Sequence, residues 1–170
     1  KEDKYGFLSD YATFGDMITF FEPLSGATSR KIFQSMNPQT PLLGWGDSEF
    51  DLVNRSSAYS ILVHPADWAK NISTLTNFNV ELKQKEHKQT AKVQPNVHTV
   101  CFLFSDGDNV QWFLNEFATN SRWYGSRKRG QVDLGWTLPP AMAELAPTAL
   151  EWIYDDAANT ATGRDYFVTG

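Results

Sequence analysis

The stretch from His98 to Phe117, HTVCFLFSDGDNVQWFLNEF, constrains the fold more than any other part of the chain. An apolar, β-prone run reaches Ser105, breaks into Asp106, Gly107, Asp108 and Asn109, and resumes as a helix over about Asn109 to Ala118. That is a strand-to-helix turn carrying carboxylates. Val100, Phe102 and Phe104 alternate with Cys101 and Leu103, so both faces are apolar, the pattern of a parallel strand covered on both sides. In such folds ligands collect at the carboxyl ends of the strands, where Asp106 and Asp108 would stand.

The same strand-then-helix signal recurs. Strands are expected at Met17–Glu22, Pro41–Trp45, Tyr59–His64, Thr99–Ser105, Val132–Thr137 and Tyr166–Gly170. Helices are expected at about Thr28–Met36, Ser48–Ala58 with Ser48 as N-cap, Asn109–Ala118 and Pro147–Ala157. This alternation predicts an α/β fold with a largely parallel sheet and alternating helices, its strands near Pro41, Tyr59, Thr99 and Val132 adjacent in one sheet. Six strands do not close an eight-stranded barrel, which takes about 250 residues. The chain starts at Lys1 rather than Met and stops on a strand, so residues 1–170 are expected to form a single α/β domain or an incomplete portion of a larger (β/α) barrel-like domain. An open sheet edge would then be covered by the rest of its own polypeptide or by another chain. Residues 81–94, ELKQKEHKQTAKVQ, read as a polar surface excursion with His87 solvated.

Charge excludes some partners. A net charge of −5 and a pI near 5.1, with only Arg127-Lys128-Arg129 as a basic knot, argue against nucleic acid and anionic membranes. No apolar run is long enough to span a bilayer, and no signal peptide is expected within residues 1–170. The lone Cys101, inside the predicted strand, rules out an intrachain disulfide framework and reads as a buried small hydrophobe. Two sequons, Asn54-Arg55-Ser56 and Asn71-Ile72-Ser73, lean towards an extracellular glycoprotein, with Asn71 in the more polar setting.

Parallel strands would bring one set of residues to a common rim: Trp45, Asp47 and Glu49; His64, Asp67 and Trp68; Asp106, Asp108 and Asn109; and Trp136. Carboxylates beside indoles suit a glycan-processing cleft, because one acid protonates the leaving oxygen, another acts as base or nucleophile, and indole faces pack on sugar rings. Asp108 lies three residues before Gln111, a capping-box spacing, so it competes for N-cap duty and Asp106 is the better catalytic candidate. Trp45 and Trp136 follow glycines that would let a ligand approach, with core packing as the alternative. Asp106 and Asp108 with His64 or His98 would suit a metal, but the three histidines lack ligand spacing, so no metal is assigned. No GxGxxG, P-loop or GxSxG motif occurs, and no cofactor is expected.

The runs VCFLFSDGDNVQW, RWYGSRKRG at Arg122–Gly130, LGWTLPPAMAELAP at Leu134–Pro147, LEWIYDDA at Leu150–Ala157 and DYFVTG at Asp165–Gly170 resemble the GxGYxYP family of putative glycoside hydrolases. GWGDSEFDLV and DWAKNIS extend the likeness upstream. The resemblance implies a secreted protein of a sugar-processing system with a barrel-like catalytic region. The glycine- and tyrosine-rich signature naming the family would begin at about Gly170. Asp106, Gly107, Asp108 and Asn109 match its DGDN motif, to which the family attaches no assigned catalytic role.

The leading expectation is a secreted carbohydrate-active domain, a glycoside hydrolase acting on a glycan or polysaccharide through Asp106. Its second carboxylate comes from Asp47, Glu49 or Asp108, and Trp45, Trp136 and Asn109 contact sugar. The alternatives are a non-catalytic glycan-binding or structural module on the same fold, and a metal-dependent polysaccharide hydrolase or deacetylase. Carboxyl groups about 5 to 5.5 Å apart would indicate retention, and about 6.5 to 9.5 Å inversion.

Overall fold

The structure, a computed structural model, describes residues 7–21, 23–86 and 94–170. The elements run α1 (Ser9–Phe14), α2 (Ala27–Ser35), β1 (Pro41–Leu43), α3 (Glu49–Ala58), β2 (Leu62–His64), α4 (Ile72–Leu75), β3 (Leu103–Phe104), α5 (Val110–Trp112), β4 (Leu134–Leu138), α6 (Met142–Leu145), α7 (Pro147–Asp156) and β5 (Asp165–Thr169). Helix α5 passes directly into a π-helical turn over Phe113–Phe117.

Every strand pairing is parallel, as the alternation predicts, but the strands form two small sheets instead of one: β1 beside β2, and β3, β4 and β5 in that order. Among the described residues no closed barrel forms. The expectation that the strands near Tyr59 and Thr99 are neighbours fails: β2 pairs with β1, and β3 with β4. Only Leu103 and Phe104 of the predicted Thr99–Ser105 strand enter a ladder.

That short strand is also not covered on both sides. The register Phe104, Trp136, Phe167 turns one face onto Phe113, Phe117, Tyr124, Leu150 and Ile153. The other face carries Leu103, 50% exposed, and Val168, 46% exposed. Upstream, Val100 and Phe102 are exposed and so is Cys101, which corrects its reading as a buried hydrophobe. The β-prone segment from Met17 likewise makes no ladder over residues 17–21, Ile18 standing 79% exposed; Glu22 lies outside the described residues. Both cases follow from β-propensity being a fit to a pleated neighbour, which these segments lack.

Local signals are kept where they are self-contained. Ser48 caps α3, its hydroxyl accepting the Asp51 N–H at 3.2 Å. Pro147 starts α7, where its missing N–H has no ladder partner to lose. Of the polar excursion, residues 81–86 are almost wholly exposed, with Gln84 donating to the Phe167 carbonyl at 3.4 Å and Lys85 to the Asp155 and Ala157 carbonyls. Residues 87–93, with His87, lie outside the described residues.

Two clusters fill the interior. The larger joins Ala66, Ala69 and Ile72 to Val110, Phe113, Trp136, Met142 and Phe167, so segments before and after the polar excursion share one core. The smaller, Leu24, Phe33, Leu52 and Ile61, sits beneath α2, α3 and the first sheet. At the amino end of β5 the buried Asp165 accepts the Trp136 indole N–H at 2.8 Å and the Ala158 N–H at 2.7 Å, and pairs with Arg129 Nε at 3.2 Å. The Arg129 guanidinium lies 3.6 Å over the Tyr124 ring. Burial pushes the Tyr124 hydroxyl well above its ordinary pKa, and that hydroxyl donates to the Ile153 carbonyl at 2.9 Å.

Candidate functional site

The acidic turn is fixed by its glycine. A Cβ on Gly107 would lie 2.2 Å from the Thr137 carbonyl group, and one on Gly170 would lie 2.5 Å from the Gly107 carbonyl carbon. The turn is therefore pressed onto the carboxyl ends of β4 and β5, and the Thr137 hydroxyl adds a 3.0 Å bond to the Phe104 carbonyl. To make the corner, Asp106 takes φ +73°, the left-handed region that aspartate and asparagine tolerate better than other side chains. Asp106 and Asp108 are both exposed at this rim.

N-cap duty falls one residue later than the capping-box spacing indicates. Asn109 Oδ1 accepts the Trp112 N–H at 2.9 Å, which leaves Asp108 outside the cap. Asn109→Ala should cost about 1 kcal/mol, read as a lowered urea midpoint; the same loss from Asp108→Ala would contradict this assignment. Gln111, unused in any capping box, reaches across the fold instead. Its N–H donates to the Pro65 carbonyl at 3.1 Å and its Oε1 accepts the Trp68 N–H at 2.6 Å, while Asn115 Nδ2 donates to the Trp68 carbonyl at 3.0 Å. The loop after β2 is thus fastened to the helix after β3, and the carboxyl ends of the two sheets meet there. His64, at the end of β2, is half-buried; desolvation lowers its imidazole pKa, an effect partly opposed by the Glu144 carboxylate.

The remaining candidates divide by exposure. Trp136 is a correction: at 2% exposure, with its indole N–H on Asp165 and its ring against Phe104, Phe117 and Tyr124, it is core and presents no face to a sugar. Its parity with Leu134 and Leu138 along β4 is the signal for that burial. Trp45 is half-buried against the smaller cluster, following Gly44 at φ +114°. Asp47 and Glu49 are exposed at the entry to α3, on the β1 side of the rim. Asn54 and Asn71 are both exposed, Asn71 in a left-handed turn at φ +60°. Trp68 is 52% exposed, and no local pattern marked its tethers to Gln111 and Asn115.

Among the described residues, no three His, Cys, Asp or Glu side chains converge as a metal-ligand set. No helix among them is long and apolar enough to cross a membrane. A largely apolar cleft of about 760 Å³ lies between α1, the end of α2 and β1, lined by Tyr11, Met17, Phe20, Met36, Leu42 and Leu43. None of the predicted site residues lines it.

Residues 96–170 match the "GxGYxYP putative glycoside hydrolase C-terminal domain" and residues 1–77 match the "GxGYxYP third domain". The chain belongs to the GxGYxYP family. The acidic turn falls in the first of these matches and the Pro65–Trp68 loop in the second, so the rim lies on the seam between two GxGYxYP units. A solved structure described as a putative hydrolase from Bacteroides thetaiotaomicron VPI-5482 is similar over 96% of this chain, with 30% identity and a TM-score of 0.77. The chain spans 32% of that protein's length. No curated protein matches it.

Proposed function

We propose that this chain contributes part of the catalytic region of a secreted glycoside hydrolase, with Asp106 as one of its two working carboxylates. The observation that carries the reading is the Asp106 corner: an exposed carboxylate on a strained backbone, wedged by Gly107 at the carboxyl end of a parallel strand. Strain of this kind persists where the surroundings over-determine it, and it clusters at working sites. The family description supports glycoside chemistry, and the two exposed sequons support secretion.

Hydrolysis needs a proton delivered to the leaving oxygen and a water oxygen delivered to the anomeric carbon. Asp106 supplies one carboxylate; Asp108, Asp47 and Glu49 are the exposed acids of the same rim from which the second is drawn. A second reading, glycan binding without turnover, is favoured by the position of the 760 Å³ cleft, which Asp106 does not line.

Asp106→Asn separates the two readings. Asparagine accepts the left-handed backbone, so the fold is kept while the acid is lost. In the full-length protein, reducing-sugar release from a panel of polysaccharides should fall at least about a hundredfold, with the melting temperature unchanged. Equal release by the variant would remove Asp106 from catalysis, and a wild type that binds but releases nothing would favour the binding module.

A further inference from the structure

We propose that the cleft between α1 and β1 seats an extended, apolar segment from the part of the polypeptide that precedes this unit in longer family members, docked as a strand on the open edge of β1. The cleft separates the two cores. Of its lining, Tyr11 and Leu43 pack against the larger cluster, and Phe20, Met36 and Leu42 against the smaller. A folded domain ordinarily has one contiguous core, so an apolar gap of about 760 Å³ between two clusters marks where a further piece belongs.

The walls of the cleft are short of partners. Among the described residues β1 pairs only with β2, so its other edge carries no ladder, and such an edge is a template for another strand. On the same cleft, the β-prone residues 17–20 sit in no ladder, with Ile18 79% exposed. Helix α1 buries none of its six residues, although so short a helix depends on packing to persist. A single exposed apolar side chain is ordinary; an open strand edge, an unburied helix and an exposed isoleucine around one apolar cleft form a docking surface.

The occupant follows from where the cleft lies. Its lining runs from Leu8 to Gly44, wholly inside the match to a unit described as third in the family, and this chain spans 32% of the similar solved structure. First and second units therefore precede this one in family members, and the cleft is built from the residues nearest to them in sequence. Asp16 is the one charged side chain among the described lining residues, so the segment brings apolar side chains and main-chain hydrogen bonds instead of an ion-pair partner. Filled in this way, the cleft is not a glycan site, and the second reading above loses the observation that favours it.

The test uses the full-length protein with a photo-reactive p-benzoylphenylalanine at position 18. Irradiation should cross-link it, within one chain, to a peptide from the units that precede residue 1. A cross-link to sequence after Gly170, a cross-linked dimer, or no cross-link overturns the proposal. Ile18→Asp should lower the melting temperature by about 2 °C or more, whereas Ile18→Leu should leave it unchanged. On an uncovered surface neither change would matter to stability. Amide exchange at Leu43 should be at least about tenfold faster in Ile18→Asp than in wild type, because the docked strand would protect the β1 edge. An unchanged melting temperature or unchanged exchange in Ile18→Asp overturns the proposal. So does a soluble oligosaccharide that blocks the cross-link, which would return the cleft to glycan binding.

Discussion

Replacing Gly107 with alanine is expected to destabilise the chain by about 4 kcal/mol or more, the upper range for a single substitution. The added methyl would sit 2.2 Å from the Thr137 carbonyl carbon and oxygen, in a residue paired with Val168 in the β4–β5 ladder. Backbone in such a ladder gives little without breaking its hydrogen bonds, so relief must come from the turn. That turn is itself pinned by Gly170 on one flank and by the Asn109 cap on the other. The neighbouring position should respond oppositely. Asp106→Gly removes the cost of a side chain at φ +73°, so its stability should equal or exceed wild type. Urea unfolding of the two variants checks the pair. A Gly107→Ala variant as stable as wild type would mean that the turn does not press on β4 and that Asp106 is not a fixed corner.

The contrast within this turn shows what local sequence does and does not carry. Ser48 and Pro147 do their jobs within one helical turn, so their type and position suffice to start α3 and α7. The strand-to-helix corner at Asp106 was legible for the same reason, although the cap moved one residue to Asn109 because the left-handed Asp106 shifts the point at which the helix begins. Strand extent is a different matter. Val100, Cys101 and Phe102 have the composition of a strand, but a strand exists only where a neighbour offers a ladder, and β4 reaches only Leu103 and Phe104. The placing of the two tryptophans has a related reason. Trp136 follows a glycine and Trp68 a turn, yet burial depends on which face packs against Phe117 and Tyr124, and tethering depends on Gln111, 43 residues away from Trp68. Neither relation is written in spacing.

The buried carboxylate at the other end of the sheet should dominate stability without touching the rim. Asp165→Ala is expected to cost about 3–5 kcal/mol, the range for breaking a buried ion pair from one side. Two donors lose their acceptor together, the Trp136 indole at 2.8 Å and the Ala158 N–H at 2.7 Å, and the Arg129 guanidinium loses the counter-ion 3.2 Å from its Nε. Arg129 has little recourse to water, its side chain being 15% exposed, although Asp156 still accepts from Nη2. Asp165→Asn keeps an oxygen for one of the neutral donors and loses the charge, so it should fall between Asp165→Ala and wild type. The loss should be strongly coupled to Arg129: in Arg129→Met, where no buried cation is left behind, removing Asp165 should cost less, and a double-mutant cycle on unfolding free energies measures the difference. A loss below about 1 kcal/mol for Asp165→Ala would show that the pair is effectively solvated. Asp165 opens β5 while Gly170, past its far end, packs on Gly107, so folded Asp165 variants should keep the geometry of the Asp106 corner and any glycan affinity it supports.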